Sequence, residues 1–281
     1  MLKGMEDTVP HGVNLPHGAR ETIPGPAMRD PLSDEIARED AARPGHAPEY
    51  TPDAPGADSH LQDTAHPNIV LDVHVAPETV SDRVAFAFTK AMRFVADKFF
   101  AGRYGHRAVV LETVAGVPGM VGGMLQHLSS LRRMKDDEGW IRTLLDEAEN
   151  ERMHLMTFIE VAQPNAFERA VIVIAQILFF LGFSLLYLIH KRTAHRVVGY
   201  FEEEAVFSYT QYLAEVDAGR HENIPAPQIA IDYWKLPANA RLRDVIIAVR
   251  ADEAAHRDMN HGFVDVLDER KCVTELLDAH A

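Results

Sequence analysis

Asn150-Glu151-Arg152-Met153-His154 and, far downstream, Asp252-Glu253-Ala254-Ala255-His256 are the stretches that decide the fold of this chain. Each contains Glu-x-x-His. On an α-helix, side chains three residues apart leave the same face, so both can reach one ion. With twenty-one Glu and fifteen His in 281 residues, roughly one such triplet arises by chance, and a single one most often marks a solvated helix face. Two further stretches change the reading. Glu112 stands alone in the apolar run Val109-Val110-Leu111-Glu112-Thr113-Val114-Ala115, and Glu202-Glu203-Glu204 follows Tyr200-Phe201 and precedes Ala205-Val206. An acid buried in such surroundings is costly without a partner. A di-metal carboxylate centre in a four-helix bundle takes one Glu from each of two helices and Glu-x-x-His from each of the other two. The chain offers that set in the order Glu, Glu-x-x-His, Glu, Glu-x-x-His, with one glutamate of 202–204 facing the site. The predicted fold class is therefore all-α: a ferritin-like four-helix bundle with a di-metal centre, plus two additional membrane-associated helices.

Carboxylates with a minority of imidazoles suit iron or manganese, whereas zinc usually takes more nitrogen or sulfur. Two divalent ions would also relieve the repulsion among four buried carboxylates. The competing reading is a set of buried salt bridges to Arg107, Arg152, Arg196 and Arg250.

Working outward, the pattern is helical from Ser81 onward, and no Asn-Gly or Asp-Gly hairpin signal occurs there. Helices are expected near 81–100, with Ser81 as N-cap, then near 104–132, 138–160, 166–192, 195–217 and 239–266, with 218–238 a long connection. The first carries Val84, Phe88, Met92, Val95 and Phe99 at helical spacing, with Arg83, Lys90, Arg93 and Lys98 beside them. That pattern suits a helix lying in a membrane interface, or an ordinary amphipathic helix packed on the core. The second contains Pro118, which should kink it, and Ala115, Gly119 and Gly123 at steps of four. Such a stripe admits a closely packed helix, within the chain or across a dimer; a loop over 116–123 is the alternative. Ala170 to Ile189 is apolar except for Gln176 and Ser184. By length alone it could cross a bilayer. The candidate ligands lie on both sides of it in sequence, and no later span can return the chain, so it is read as buried partly in protein and partly in one leaflet.

Residues 1–80 carry fourteen acids against five Lys/Arg, and eleven of the sixteen prolines fall in 1–77. No periodic apolar face is present, so 1–80 is expected to be a mostly disordered acidic extension and 81–281 the di-metal helical-bundle domain. The net charge of −14 argues against nucleic acid as a partner. Cys272 is the lone cysteine, which excludes an intramolecular disulfide and any cysteine-ligated cluster. The beginning MLKGMEDTVPHG has no apolar core of a secretory signal and is a poor transit peptide. The expectation is the cytoplasmic face of a bacterial inner membrane, with the matrix face of the mitochondrial inner membrane as the alternative.

At these residues the sequence resembles the alternative oxidases, the cyanide-insensitive quinol oxidases, over about 80–265. The motifs are Leu111-Glu112-Thr113-Val114-Ala115, Asn150-Glu151-Arg152-Met153-His154-Leu155, Phe201-Glu202-Glu203-Glu204-Ala205 and Arg250-Ala251-Asp252-Glu253-Ala254-Ala255-His256, with Gly116 to Met124 also close to the family's pattern. The resemblance implies two iron ions held by Glu112, Glu151, His154, Glu202, Glu253 and His256, and it selects Glu202 from the triple run. It implies a redox-active Tyr209, supporting partners Asn150 and Asp252, and a quinol pocket at Arg93, Asp97, Arg107, Leu111, Glu204, Ala205 and Ser208. Ubiquinol and O2 would be the substrates, one membrane leaflet the setting and a homodimer the assembly. From the residues alone, Tyr209 reads rather as a buried core tyrosine with a satisfied hydroxyl, and only the resemblance reverses that. Phe201 stands where the family usually has leucine, and Ser208 where threonine is common. The regulatory N-terminal cysteines of plant members are absent. The alternatives are a quinone-ring hydroxylase on the same scaffold, a ferritin-like iron store, and a non-enzymatic membrane-surface scaffold.

Overall fold

The chain was analysed as a computed structural model, which describes residues 70–100 and 102–269. Seven α-helices form among them: α1 (Val80–Phe100), α2 (Tyr104–Arg133), α3 (Trp140–Ala162), α4 (Ala166–Ile189), α5 (Lys191–Asp217), α6 (Gln228–Trp234) and α7 (Leu242–Glu269). No strand ladder occurs among the described residues; one isolated bridge joins Pro225 and Arg241.

Local chemistry fixes most helix ends. At α1 the cap is Thr79, two residues before the expected Ser81. The Thr79 hydroxyl accepts from Asp82 N at 3.1 Å, and the Asp82 carboxylate accepts from Thr79 N at 2.9 Å, a reciprocal pairing that satisfies two orphan donors at once. Asn165 and Glu168 form the same device at the start of α4. The helix expected over 166–192 ends instead at Ile189. His190 leaves helical geometry, and its Nδ1 accepts from Thr193 N at 3.2 Å to open α5. The connection 218–238 contains α6, which sequence periodicity did not reveal because seven residues are too few to show a repeating face.

α2 runs unbroken through Pro118, so no loop forms at 116–123. Its small-residue stripe lies against α3 of the same chain. A Cβ on Gly119 would collide with the Leu144 carbonyl, and one on Gly123 would meet the Leu145 side chain at 3.0 Å. The close helix pair is thus intramolecular. α5 and α7 form the second close pair, where Gly199 leaves room for the His261 ring, 2.6 Å from a would-be Cβ.

These four helices make the bundle. One apolar cluster includes Phe158, Tyr212, Trp234, Leu242 and Ile246. Another, at the opposite end of α3 and α7, includes Trp140, Leu144 and Phe263, with Trp140 stacked on Phe263 at 4.4 Å. The candidate ligands lie along each helix between such apolar stretches, so burial of the ends seals the middle from water.

α1 and α4 lie outside the bundle. Val84, Phe88, Phe94, Val95 and Phe99 on α1 are exposed, as are Ile174, Leu178, Leu181, Leu185 and Leu188 on α4. The stripe expected to pack or to meet lipid is therefore mostly unburied. α2 and α4 are both long and apolar enough to cross a membrane, but more than half of α2's apolar stretch is buried in the bundle while only about a tenth of α4's is.

Residues 70–79, read from the sequence as part of the extension, pack against the bundle. Leu71 is 6% exposed and sits with Val206 and Ala254, a burial that contributes about 1.5–3 kcal/mol. Folded chain thus begins before Ser81, and the remainder of the 1–80 extension lies outside the described residues, as does Cys272.

Candidate metal centre

Glu112 comes from the middle of α2, Glu151 and His154 from α3, Glu202 from α5, and Glu253 and His256 from α7. All six are buried. Their ligand atoms gather into two overlapping groups, each within 4.8 Å. Glu112, Glu151, His154 and Glu253 form one; Glu151, Glu202, Glu253 and His256 form the other. Glu151 and Glu253 belong to both. A glutamate and a histidine complete each group: Glu112 and His154 in one, Glu202 and His256 in the other.

The polar accounting supports metal over salt bridges. Both oxygens of Glu151 and of Glu253, one oxygen of Glu112, and Nδ1 of His154 and of His256 are buried without a hydrogen-bond partner. Burying so many unpaired groups is prohibitive unless something inside the cluster takes them up. Three of the four arginines proposed as partners are engaged elsewhere: Arg107 pairs with Asp97, Arg152 with Glu149, and Arg196 with Asp82. His154 Nδ1 points at the carboxylates, 3.4 Å from Glu112, 3.4 Å from Glu151 and 3.3 Å from Glu253. His256 Nδ1 lies 2.7 Å from Glu151. Hard oxygen donors and two imidazoles around a shared space fit a pair of iron ions.

Proton affinities show the same deficit of positive charge. Burial, then the charges of Glu253 and Glu151, push Glu112 and Glu202 well above the usual carboxylate range. Burial opposes ionisation of Glu151 too, but His154 and His256 outweigh it and hold its carboxyl well below that range. Burial would lower His256, yet the Glu151 carboxylate raises it to about 9. Repulsion of this kind among buried carboxylates is what bound divalent cations relieve.

Around the ligands stands a supporting layer. The Asp252 carboxylate accepts from His154 Nε2 at 3.1 Å, Asn150 Nδ2 at 3.0 Å and Trp234 Nε1 at 2.8 Å. This fixes the imidazole with Nδ1 toward the centre. Asn150 Nδ2 also reaches Tyr233 Oη at 2.9 Å. Asn150 and Asp252 were anticipated; Tyr233 and Trp234 were not, because α6 was read as a connection. Glu147 and Asn260 were missed as well. Each lies four residues from a ligand on the same helix face, the spacing that could have found them. Asn260 Nδ2 donates to the Glu147 carboxylate at 2.9 Å and to His256 O at 3.0 Å. Burial raises Glu147 to about 7. Tyr209 is buried, and its hydroxyl donates to Glu112.

The residues expected to form a quinol pocket are only partly gathered. Arg93, Asp97 and Arg107 line one cavity of about 210 Å³, together with Arg103, Tyr104 and Gln211. Arg93 and Lys90 bind Glu204, and Arg93 meets Asp97 at 3.3 Å. Leu111, Ala205 and Ser208 do not line that cavity. A larger cavity of about 650 Å³ lies between α2, α3 and α4, touches Glu112, and is walled by Val117, Met120, Ile177, Phe180 and Leu181.

Comparison with known proteins agrees with this geometry. The family model described as alternative oxidase matches residues 64–265. "Ubiquinol oxidase 1a, mitochondrial" of Oryza sativa subsp. japonica is 59% identical over 203 residues, 72% of this chain and 61% of the relative. "Ubiquinol oxidase 1a, mitochondrial" of Arabidopsis thaliana is 57% identical over 206 residues, 73% and 58% of the two chains. "Ubiquinol oxidase, mitochondrial" of the chytrid Batrachochytrium dendrobatidis is 58% identical over 193 residues, 69% and 61%. The chain spans about 60% of the length of these curated relatives.

Proposed function

The chain belongs to the alternative oxidase family, and from that premise we propose that it is a terminal quinol oxidase, oxidising ubiquinol and reducing O2 to water without pumping protons. The observation that carries this reading is the pair of overlapping ligand groups sharing Glu151 and Glu253. The named activity of its relatives, ubiquinol oxidase, supports the substrate class. Glu112, Glu151, His154, Glu202, Glu253 and His256 would hold two iron ions. Bound there, the ions would supply the redox chemistry and the open positions at which oxygen is reduced.

The protein's own part is binding, orientation and proton handling. Arg107 and Glu204 orient the quinol hydroxyls, with Arg93 and Asp97 completing the charged rim; Leu111, Ala205 and Ser208 lie outside that cavity and enter the proposal on the family resemblance alone. A carboxylate of that rim accepts a quinol proton as electrons leave. The Arg93–Glu204 and Arg107–Asp97 pairs support this by placing charge of both signs at one mouth. Tyr209 holds its phenol proton at the Glu112 carboxylate, where it would stand as a one-electron donor to the iron-loaded centre, a role favoured by that direct hydrogen bond. The apolar walls of the centre exclude stray water.

The exposed apolar faces of α1 and α4 support seating in one leaflet, with basic Arg83 and Lys98 at its border. The relatives are named mitochondrial, which favours the organelle alternative; the bacterial placement gains no support from them. A homodimer is part of the proposal. With the glycine stripe used inside the chain, its support moves to the exposed Met124, Leu128 and Leu131 of α2.

The test is Glu253→Ala in the full chain. Iron content and quinol-dependent, cyanide-insensitive oxygen uptake should both vanish. Retention of either sinks the assignment. Product analysis separates the hydroxylase reading: oxidised quinone and water, or an added ring hydroxyl.

A further inference from the structure

We infer that Arg257, acting through the chain segment 70–75, is a positioning residue for the half of the centre made by Glu202 and His256, while the Asp252 network positions the other half. The inference rests on the di-iron reading above. Arg257 directly follows His256 and is 0% exposed. A fully buried guanidinium is strongly destabilising unless its donors are satisfied. Two of those donors go to the segment: Val70 O at 2.6 Å and Leu71 O at 3.1 Å; the third contact is Asp258 at 2.7 Å. Leu71 is buried against Val206, one turn beyond Glu202, and Ala254, next to Glu253. Glu203, next to Glu202, closes the other end of the segment. Its carboxylate accepts from Val75 N at 3.0 Å and meets His74 Nδ1 at 2.5 Å and His261 Nε2 at 2.9 Å. His261 is on α7. One short stretch of chain therefore ties α5 to α7 at the level of three ligands.

The other half needs no such tie. His154 has Asp252 behind its ring at 3.1 Å. Among the described residues, His256 has no carboxylate outside the ligand set within ion-pair distance. Its position follows from the backbone of α7, held by Asn260 at 3.0 Å and by the seat that the segment makes. A metal ligand lacking an outer partner depends on the rigidity of the element that carries it.

The experiment follows iron release from the full-length, iron-loaded protein into a ferrous chelator without oxygen. The wild type should start with two irons per chain; fewer would overturn the di-iron reading itself. Leu71→Ala removes one apolar contact, and Arg257→Met removes the donors. Each should release one iron per chain at least tenfold faster than wild type and the second more slowly. Arg257→Lys, which keeps a donor, should recover part of the loss. Adding Asp252→Asn to Leu71→Ala should make both irons leave fast. A double variant that still keeps one slow iron would place both devices on the same half and overturn the inference. So would wild-type release from both single variants, or equally fast release from Val121→Ala, a core change in the separate cluster that α2 makes with Phe183 and Tyr187 of α4, matched to Leu71→Ala in lost Tm.

Discussion

Replacing Asp252 by asparagine removes one charge and almost no volume. Asp252 Oδ2 lies 3.1 Å from His154 Nε2, 3.0 Å from Asn150 Nδ2 and 2.8 Å from Trp234 Nε1. A neutral amide oxygen in the place of Oδ2 can still accept from these donors, but the bonds lose their charge assistance. Hydrogen bonds to a charged group are worth about 1.5–3 kcal/mol, against about 0.5–1.5 kcal/mol for neutral ones. The imidazole loses the partner that fixes its tautomer. Outer partners of this kind typically set ~10–100-fold in metal affinity, which is about 1.4–2.8 kcal/mol. Competition against a calibrated ferrous chelator should show that loss, with the exposed Asp232→Asn as the unchanged reference. Affinity within about twofold of wild type in a folded Asp252→Asn protein would refute the reasoning, because outer-partner losses start near tenfold.

Tyr209→Phe should keep both irons, since its hydroxyl touches only Glu112 and is no ligand, yet lose steady-state oxygen uptake; full turnover would reject the redox role. His195 is buried and its pKa is depressed to about 3, chiefly by burial. Its folded pKa lies below the unfolded value of about 6.5, so stability falls as pH drops below that value. One proton costs about 1.4 kcal/mol per pH unit, or about 2 kcal/mol by pH 5. Denaturant melts should show a shallower acid slope in His195→Gln, and equal slopes would exclude the linkage. Gly119→Ala sets a methyl against the Leu144 carbonyl and should cost about 1–3 kcal/mol, read as a lowered Tm, with unchanged stability contradicting the close α2–α3 approach.

The six candidate ligands were legible because their chemistry is local in sequence: a Glu-x-x-His repeats a helix's own geometry, and Glu112 is conspicuous in an apolar run. The resemblance was needed to choose Glu202 among three acids, and its burial, against the partial exposure of Glu203 and Glu204, agrees with that choice. What stayed hidden depended on distant partners. Trp234 matters because α6 folds back onto Asp252, and no periodicity announces so short a helix. The packing of 70–79 rests on contacts with α5 and α7, more than a hundred residues away. Thr79 took the cap from Ser81 because Asp82 is three residues from it, not from Ser81.

Glu253 is shared by both ligand groups, and it arrives on α7. A ribosome-bound chain that has already made α2 and α3 can display Glu112, Glu151 and His154, yet it can close neither coordination sphere. With the ligand set proposed above, metal loading would wait until α7, the last helix of the bundle, is synthesised and docked. Premature capture of a wrong ion by the nascent chain meets an incomplete, weakly holding trio.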